Sequence, residues 1–243
     1  MNRQYSSIIN LGELVKNIEK VLGRIFKLLD AYEILALAGI IGPLILLALD
    51  IDAAISDPKY SLIRDSISYL GLTSLGMLQT IVFVVLGLLV AIFTAGLFLN
   101  IRRRHLFDLG IGLLAFFAFG LVLIGIFRTD QIGAVSSVTG KIHVLAAYSV
   151  LGLFPVALAL MLSSIKDDPR WYGMFRYTVV VGVLTFVLAI GRLFLPSQIT
   201  WFGLYERVLV GNVVIWLEVA GIWLLILERR RRREAQKTNH IST

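Results

Sequence analysis

Hydrophobic residues along the chain fall into six long segments that are separated by short polar stretches. A helix that crosses the hydrocarbon core of a bilayer needs about 20 predominantly apolar residues. Six segments reach that length, roughly 31–51, 76–99, 107–127, 142–163, 176–195 and 207–227. The pattern predicts an all-α integral membrane protein whose six-helix transmembrane bundle covers residues 31–228. Residues 1–30 and 229–243 are the predicted flanking segments.

The first thirty residues follow a different pattern, in which apolar and basic positions alternate with a helical period. One face of residues 11–29 carries Leu11, Leu14, Val15, Ile18, Leu22, Ile25 and Leu29, and the other carries Lys16, Lys20, Arg24 and Lys27. Such an amphipathic helix is suited to lie on a membrane surface that is rich in anionic lipid. A helix that packs on the bundle or on a partner fits the pattern equally well.

The polar stretch between the first two spans contains the signals of a short helix. Asp57 supplies a cap, Pro58 is preorganised for the first helical position, and Gly71 is a plausible end. At about 100° per residue, one face of this helix would carry Ser61, Arg64, Asp65 and Ser68. The sequence therefore predicts a surface or re-entrant helix that presents polar side chains.

Composition and charge add an orientation to this bundle. Hydrophobic residues make up 58% of the chain, and the mean hydropathy is +0.84. If the N-terminus is cytoplasmic, 17 of the 23 Lys and Arg residues lie on the cytoplasmic side. Because cytoplasmic loops carry an excess of Lys and Arg, both termini are predicted to be cytoplasmic and the protein to reside in the cell (cytoplasmic) membrane. The Arg229–Arg233 run is then expected to contact anionic lipid headgroups at the cytoplasmic face, and no nucleic acid is predicted as a partner.

Five of the six predicted helices carry ionisable side chains at their extracytoplasmic ends. These residues are Asp50, Asp52, Arg128, Asp130, Lys141, His143, Arg192, Glu206 and Arg207. Charges near the hydrocarbon boundary are costly unless they are paired or solvated. The sequence therefore predicts a polar cluster at this face.

Two interpretations of the cluster remain open. In the first, Arg64, Arg128, Arg192 and Arg207 pair with Asp50, Asp65, Asp130 and Glu206 and staple loops onto helix ends. In the second, the cluster is a site in which His143 and Asp130 act as a catalytic acid and base. The ligand-binding residues of that site would be Arg64, Asp65, Ser68, Arg128, Glu206 and Arg207.

Metal and cofactor chemistry receives little support from the sequence. The chain has no cysteine, and His143 is the only histidine near the extracytoplasmic side, because His105 lies at the cytoplasmic end of the third span and His240 in the tail. A bis-His haem would join opposite faces about 30 Å apart, and a His-rich zinc site fails by the same count. No cofactor is predicted, although a carboxylate-rich divalent site at the extracytoplasmic face is a weaker alternative. Glu218 lies near the bilayer midplane, where an acid is either a functional proton site or a protonated packing residue.

Three stretches carry a resemblance to a known family. They are the loop Asp57-Pro58-Lys59-Tyr60-Ser61-Leu62-Ile63-Arg64-Asp65-Ser66-Ile67-Ser68-Tyr69-Leu70-Gly71, then Arg128-Thr129-Asp130 with Gly140-Lys141-Ile142-His143, and Gly203-Leu204-Tyr205-Glu206-Arg207 with Trp216. In their order and spacing they resemble the domain-of-unknown-function 998 family of bacterial and archaeal six-span membrane proteins, over roughly residues 33–228. The resemblance implies a six-helix bundle with these stretches on one side, and it implies no established reaction.

Three functional hypotheses follow from the predicted cluster. The first is a site that binds or hydrolyses an anionic lipid headgroup or a similar ligand. The second is a non-catalytic accessory subunit of a larger membrane complex, for which the partner is another membrane protein. The third is a small transporter, although the only strongly polar midplane residues, Glu218 and Asn212, lie on a single span.

Overall fold

The computed structural model describes residues 16, 30–131, 133–196 and 199–241, and the regular secondary structure of this part of the chain is entirely helical. The long helices are α1 Ala31–Ser56, α2 Gly76–Asn100, α3 Phe107–Ile126, α4 Val138–Asp167, α5 Phe175–Arg192 and α6 Phe202–Ile241. Two 3-10 helices, η1 Ile67–Leu72 and η2 Tyr172–Met174, precede α2 and α5. All six long helices are long and apolar enough to cross a membrane, so the prediction of a multi-pass membrane protein is confirmed. The predicted amphipathic helix at 11–29 lies outside the described residues, apart from Lys16.

Consecutive helices are neighbours in the bundle, and α6 closes it by packing on α1. The interior is filled by large buried side chains from several helices. Phe154 on α4 contacts Phe117 on α3 and Trp216 on α6, with ring centroids 5.2 and 5.6 Å apart. Gly87 allows α2 to approach α3 closely, because a Cβ there would lie 2.7 Å from the Ala118 carbonyl oxygen.

Helix α5 is the least buried of the six spans, and hydrogen bonds attach it to α6. The Asn212 side chain donates to Thr185 Oγ1 at 2.6 Å, and Trp216 Nε1 donates to Thr178 Oγ1 at 3.1 Å. Because these polar groups bond to each other within the apolar span, they hold the two helices together at fixed points.

Two helices extend beyond the predicted spans and carry polar motifs with them. Helix α4 begins at Val138, where Ser137 Oγ accepts the Gly140 N–H at 3.0 Å, so Lys141 and His143 lie in its first two turns. Helix α6 begins at Phe202, which places Glu206 and Arg207 in its first two turns. It continues to Ile241, so the Arg229–Arg233 run is helical.

The loop after α1 differs from the predicted helix that begins at Asp57. Residues 57–66 form turns, and the helical segment is η1, which is capped by Ser66 Oγ accepting the Tyr69 N–H at 3.1 Å. The reason is local: the Asp57 carboxylate accepts the Lys59 N–H at 2.9 Å, and the Asp65 carboxylate accepts the Ser61 N–H at 2.8 Å. Such side-chain bonds to the backbone compete with helix formation.

The bundle has two polar ends, and we call the one that contains η1 the motif end. This end is formed by η1, by the ends of α1, α3 and α5, and by the starts of α2, α4 and α6. At the opposite, basic end, Arg229, Arg231 and Arg232 form ion pairs with Asp30, Glu33 and Glu228. Contact of the arginine run with lipid headgroups stays a prediction.

Candidate functional site

Arg207 joins three segments at the motif end. Its Nε and Nη2 donate to the two carboxylate oxygens of Asp50 at 2.8 and 2.7 Å. Its Nη1 donates to the backbone oxygens of Leu62 and Asp65, both at 2.7 Å, and of Gly203 at 3.0 Å. The Arg207 and Asp50 side chains are only 14% and 13% exposed. This guanidinium is therefore committed to holding the loop between α1 and η1 against α1 and α6.

Tyr60 completes the Arg207 network from the loop side. Its hydroxyl donates to Asp50 Oδ1 at 2.9 Å and accepts a hydrogen bond from Arg207 Nη2, while its ring lies 5.5 Å from the guanidinium carbon. Burial raises the pKa of the Tyr60 phenol far above its ordinary value. The hydroxyl is therefore protonated and can donate to Asp50 at neutral pH.

Backbone hydrogen bonds dock the same loop onto the start of α6. The N–H groups of Gly203 and Leu204 donate to the carbonyl oxygens of Arg64 at 3.2 Å and Ile63 at 2.9 Å. The first amides of a helix have no partner within the helix, so an outside acceptor stabilises them. The loop thus supplies the cap of α6.

Arg64 and Asp65 form a second ion pair at the rim. Arg64 Nε and Nη2 donate to the two Asp65 carboxylate oxygens, each at 2.8 Å, and Nη2 also donates to the Lys59 carbonyl oxygen at 2.8 Å. The hydrogen bonds from Arg64 hold the pKa of the Asp65 carboxyl below its usual range. The Arg64 side chain is 60% exposed, so the pair lies at the water-accessible edge of the motif end.

His143 is buried where α3, α4 and η1 meet. Its Nδ1 lies 2.7 Å from the Phe127 carbonyl oxygen, and its Nε2 lies 3.0 Å from Ser68 Oγ. Because a carbonyl oxygen only accepts, Nδ1 carries the hydrogen, and Nε2 of the neutral ring accepts from the Ser68 hydroxyl. The side chain is 5% exposed, so its two hydrogen bonds fix the ring in place.

Asp130 caps the start of α4. Its carboxylate accepts from the Ser137 N–H at 2.8 Å and from the Ser137 hydroxyl at 2.7 Å, and these bonds hold the pKa of Asp130 below its usual range. No hydrogen bond joins Asp130 to His143, whose imidazole faces Ser68. The catalytic assignment of Asp130 and His143 stays a prediction, with Ser68 as the side chain that His143 contacts.

A cavity of about 450 Å³ opens between η1, α4, α6 and the end of α5. Its polar lining consists of Arg64, Asp65, Ser66, Ser68, Thr129, Asp130, His143, Arg192 and Glu206. Its apolar and aromatic lining includes Leu72, Val144, Ala147, Leu151, Phe202 and Leu209. The cavity therefore brings together most of the predicted site residues and adds an apolar wall from two membrane-spanning helices.

Arg192, at the end of α5, lines the cavity together with Glu206, and the two charges interact electrostatically at more than ion-pair distance. Its Nη1 donates to the Leu195 carbonyl oxygen at 3.0 Å, and its guanidinium carbon lies 4.7 Å from the Phe202 ring and 5.7 Å from the Tyr148 ring. Within the described part of the chain, no carboxylate forms an ion pair with it. The guanidinium is thus stacked on aromatic rings and keeps donors for a ligand.

A second, narrow pocket of about 60 Å³ lies beside this cavity, among the helices of the bundle. Ser68, Ala147, Leu151 and Glu206 line both spaces. The remaining lining of the narrow pocket is apolar and includes Phe83, Phe117, Leu121, Val213 and Leu217. Glu206 also accepts the Ile67 N–H at 2.7 Å, which holds η1 at the boundary between the two spaces.

The remaining predicted residues are distributed around the cavity. Arg128 is exposed, and in the described structure it neither pairs with a carboxylate nor lines the cavity. Glu218 lies half-buried on α6 and has no hydrogen-bond or ion-pair partner among the described residues. The same residues contain no group of three acidic or histidine side chains that could hold a metal ion.

The polar cluster thus divides into two parts. The pairs Arg207–Asp50 and Arg64–Asp65 are staples, as the first interpretation predicts. Arg192, Ser68, His143 and Glu206 line a cavity, which is the geometry of the second interpretation. Sequence reasoning missed the contact of Ser68 with His143 because 75 residues separate them, and no spacing signal links them.

A family model described as "Protein of unknown function (DUF998)" matches residues 40–223, a range that contains every cavity-lining residue. No curated protein and no solved structure matches the chain.

Proposed function

The chain belongs to the DUF998 family of proteins of unknown function, and we propose that its cavity at the motif end binds a lipid or similar amphiphile with an anionic headgroup. The observation that carries this proposal is Arg192, which faces the cavity without an ion pair among the described residues. A half-buried cation that forms no ion pair favours an anionic ligand, because the ligand can accept charge-assisted hydrogen bonds from it.

The lining of the cavity supports an amphiphile over a small soluble anion. Arg192 supplies hydrogen-bond donors for phosphate or carboxylate oxygens, since only its Nη1 bonds to a backbone oxygen, that of Leu195. Leu151 and Leu209, from α4 and α6, supply apolar surface beside them. A ligand with a charged head and a hydrocarbon tail matches both surfaces, since each part meets a surface of its own polarity.

The proposed ligand comes from the outer leaflet of the cell membrane. Most of the Lys and Arg residues lie at the basic end, and the positive-inside rule assigns that end to the cytoplasm. The motif end then faces outward, and the cavity lies at the depth of the outer headgroups.

Orientation is tested with single cysteines, because the natural chain contains none. Lys59 at the motif end and Lys166 at the basic end are both exposed, so they form a matched pair. In intact cells a membrane-impermeant maleimide is expected to label the Lys59→Cys variant and to label Lys166→Cys only after permeabilisation. The reverse pattern would place the cavity at the cytoplasmic leaflet and contradict the proposal.

Ligand binding is tested with a fluorescent phosphatidylglycerol, using phosphatidylcholine with the same chains for comparison. The full chain in detergent micelles is expected to bind the anionic lipid more tightly, and Arg192→Gln to weaken that binding about tenfold to a hundredfold. This estimate follows from the loss of a charge-assisted hydrogen bond, about 1.5–3 kcal/mol, at about 1.4 kcal/mol per tenfold change.

Lys141→Gln provides the matched control for this measurement. Lys141 is exposed, lies at the same end of the bundle and does not line the cavity. Its replacement removes the same charge and is expected to leave the affinity within about twofold, since an exposed charge is screened. Equal losses in both variants, or equal affinity for the two lipids, would contradict a specific anionic site.

A further inference from the structure

We propose that Ser68 is a nucleophile activated by His143, and that the cavity's ligand is a carboxylic ester whose acyl group is transferred to Ser68 and then to water. The starting observation is the 3.0 Å contact between Ser68 Oγ and His143 Nε2. A serine hydroxyl is a weak nucleophile unless an adjacent base takes its proton, and that base must lie within hydrogen-bond reach. The reaction rests on the lipid binding proposed above, because the ester must reach Ser68 through the same cavity.

A third group orients the base. His143 Nδ1 donates to the Phe127 carbonyl oxygen at 2.7 Å, which leaves Nε2 free to accept from Ser68. In serine hydrolases a carboxylate has this orienting role. In both cases the acceptor binds the hydrogen on Nδ1, so that Nε2 carries none and can take the serine proton. The backbone carbonyl orients the imidazole without a full counter-charge.

The position of Ser68 specifies the kind of substrate. Ser68 lines the wide cavity that contains Arg192 and also the narrow apolar pocket beside it. In an ester lipid, the ester group separates the polar headgroup from the hydrocarbon chain. At about 60 Å³ the narrow pocket is too small for a whole acyl chain, so the chain lies along Leu151 and Leu209 in the wide cavity. A headgroup held by Arg192 then brings the ester carbonyl to Ser68.

The proposed chemistry is acyl transfer in two halves. Ser68 Oγ bonds to the ester carbonyl carbon while its proton passes to His143 Nε2. The tetrahedral intermediate then expels the alcohol, which takes the proton from Nε2 and leaves an acyl ester on Ser68. Water repeats the sequence with His143 as base, so that the carboxylic acid leaves and the Ser68 hydroxyl is restored.

Glu206 is a positioning residue in this arrangement. Its Oε2 accepts the N–H of Ile67 at 2.7 Å, and Ile67 directly precedes Ser68 at the start of η1. The bond ties η1 to α6 and thereby holds the Ser68 hydroxyl in front of His143.

The experiment uses a fluorophosphonate probe, which reacts with activated serine hydroxyls, on the full chain in phosphatidylcholine nanodiscs. Peptide mass spectrometry is expected to locate the label on Ser68, and Ser68→Ala to abolish it. His143→Gln is expected to slow labelling by about a hundredfold or more, the usual contribution of a general base. Replacement of the exposed Ser136 by Ala is the matched control, with labelling unchanged.

A second measurement covers the case in which the alanine variant does not fold. Ser68→Cys introduces the only thiol of the chain, and its rate of alkylation by iodoacetamide reports the thiolate. Adding His143→Gln is expected to slow this alkylation at least tenfold. Labelling away from Ser68, no labelling of folded wild type, or rates independent of His143 would each overturn the proposal. Phosphatidylglycerol binding is therefore also measured with Ser68→Ala, which cannot transfer the acyl group. If the anionic lipid binds but Ser68 is not labelled, only the acyl-transfer proposal fails, and if it does not bind, the proposed function fails.

Discussion

Replacing Arg207 by Ala is expected to lower the free energy of unfolding by about 3–5 kcal/mol, the largest effect of any single change at the motif end. The substitution leaves the Asp50 carboxylate buried without its counterion and removes the donors for the Leu62 and Asp65 carbonyl oxygens. Leaving a buried charge without its partner lowers the stability of the fold by far more than the intact ion pair adds to it. The loop between α1 and η1 would then detach from the start of α6.

The measurement is unfolding in mixed micelles with increasing dodecyl sulfate, followed by far-ultraviolet circular dichroism. Arg128→Ala is the control, because Arg128 is exposed and has no ion-pair partner among the described residues. The double variant with Asp50→Ala is expected to be more stable than Arg207→Ala alone, since it removes the stranded carboxylate. Equal stability of the Arg207→Ala and Arg128→Ala variants would show that the Arg207 network contributes nothing.

Gly203→Ala is expected to destabilise the protein by about 1–2 kcal/mol, although alanine favours helices over glycine by about 1 kcal/mol. Gly203 lies in the first turn of α6, directly against the loop. A Cβ there would overlap the Asp65 carbonyl oxygen and lie 2.8 Å from both the Asp65 amide nitrogen and Arg207 Nη1. Since two of the three atoms belong to backbone, the loop itself must move.

Gly211 on the same helix is the matched control for Gly203. A Cβ at Gly211 would meet nothing within 4 Å, so Gly211→Ala is expected to keep or raise stability by up to about 1 kcal/mol. The same denaturation assay compares the two variants. If Gly203→Ala is as stable as Gly211→Ala, the close docking of the loop on α6 is contradicted.

These two expectations concern the staple, and the cavity depends on it. Arg207 and Gly203 fix the loop that leads into η1, and η1 carries Ser68 to His143. The cluster is therefore divided by role: the ion pairs Arg207–Asp50 and Arg64–Asp65 hold the loop in place, and Arg192, which forms no ion pair among the described residues, is available for a ligand.

The bundle could be predicted because apolar length and helix periodicity are local properties of the chain. Six spans and the family were recognised from such patterns, and the family match over residues 40–223 confirms the latter. The loop helix at Asp57 was predicted from equally local signals, yet turns occupy those residues. There, carboxylates bonded to nearby backbone groups outweighed the helix signals of Asp57 and Pro58.

The sequence predicted which residues belong to the site better than it predicted which of them contact each other. Arg64, Asp65, Ser68, Asp130 and Glu206 were expected at one end of the bundle, and they line one cavity. The pairing of charges was not determined in the same way, since any of four arginines could reach any of several carboxylates. Arg192 stayed outside the predicted ligand-binding set because its position beside the Phe202 and Tyr148 rings depends on how α5 packs.

The sequence by itself determined that the chain crosses a membrane six times and that polar motifs gather where the helices end. Whether a segment can span a bilayer as a helix depends on its own composition and length, and both can be read from the sequence. Only the tertiary structure decided that Arg207 is bound to Asp50, that Arg192 faces a cavity, and that Ser68 meets His143. These are distances between groups on different helices, and they depend on how the helices pack, which no local pattern specifies.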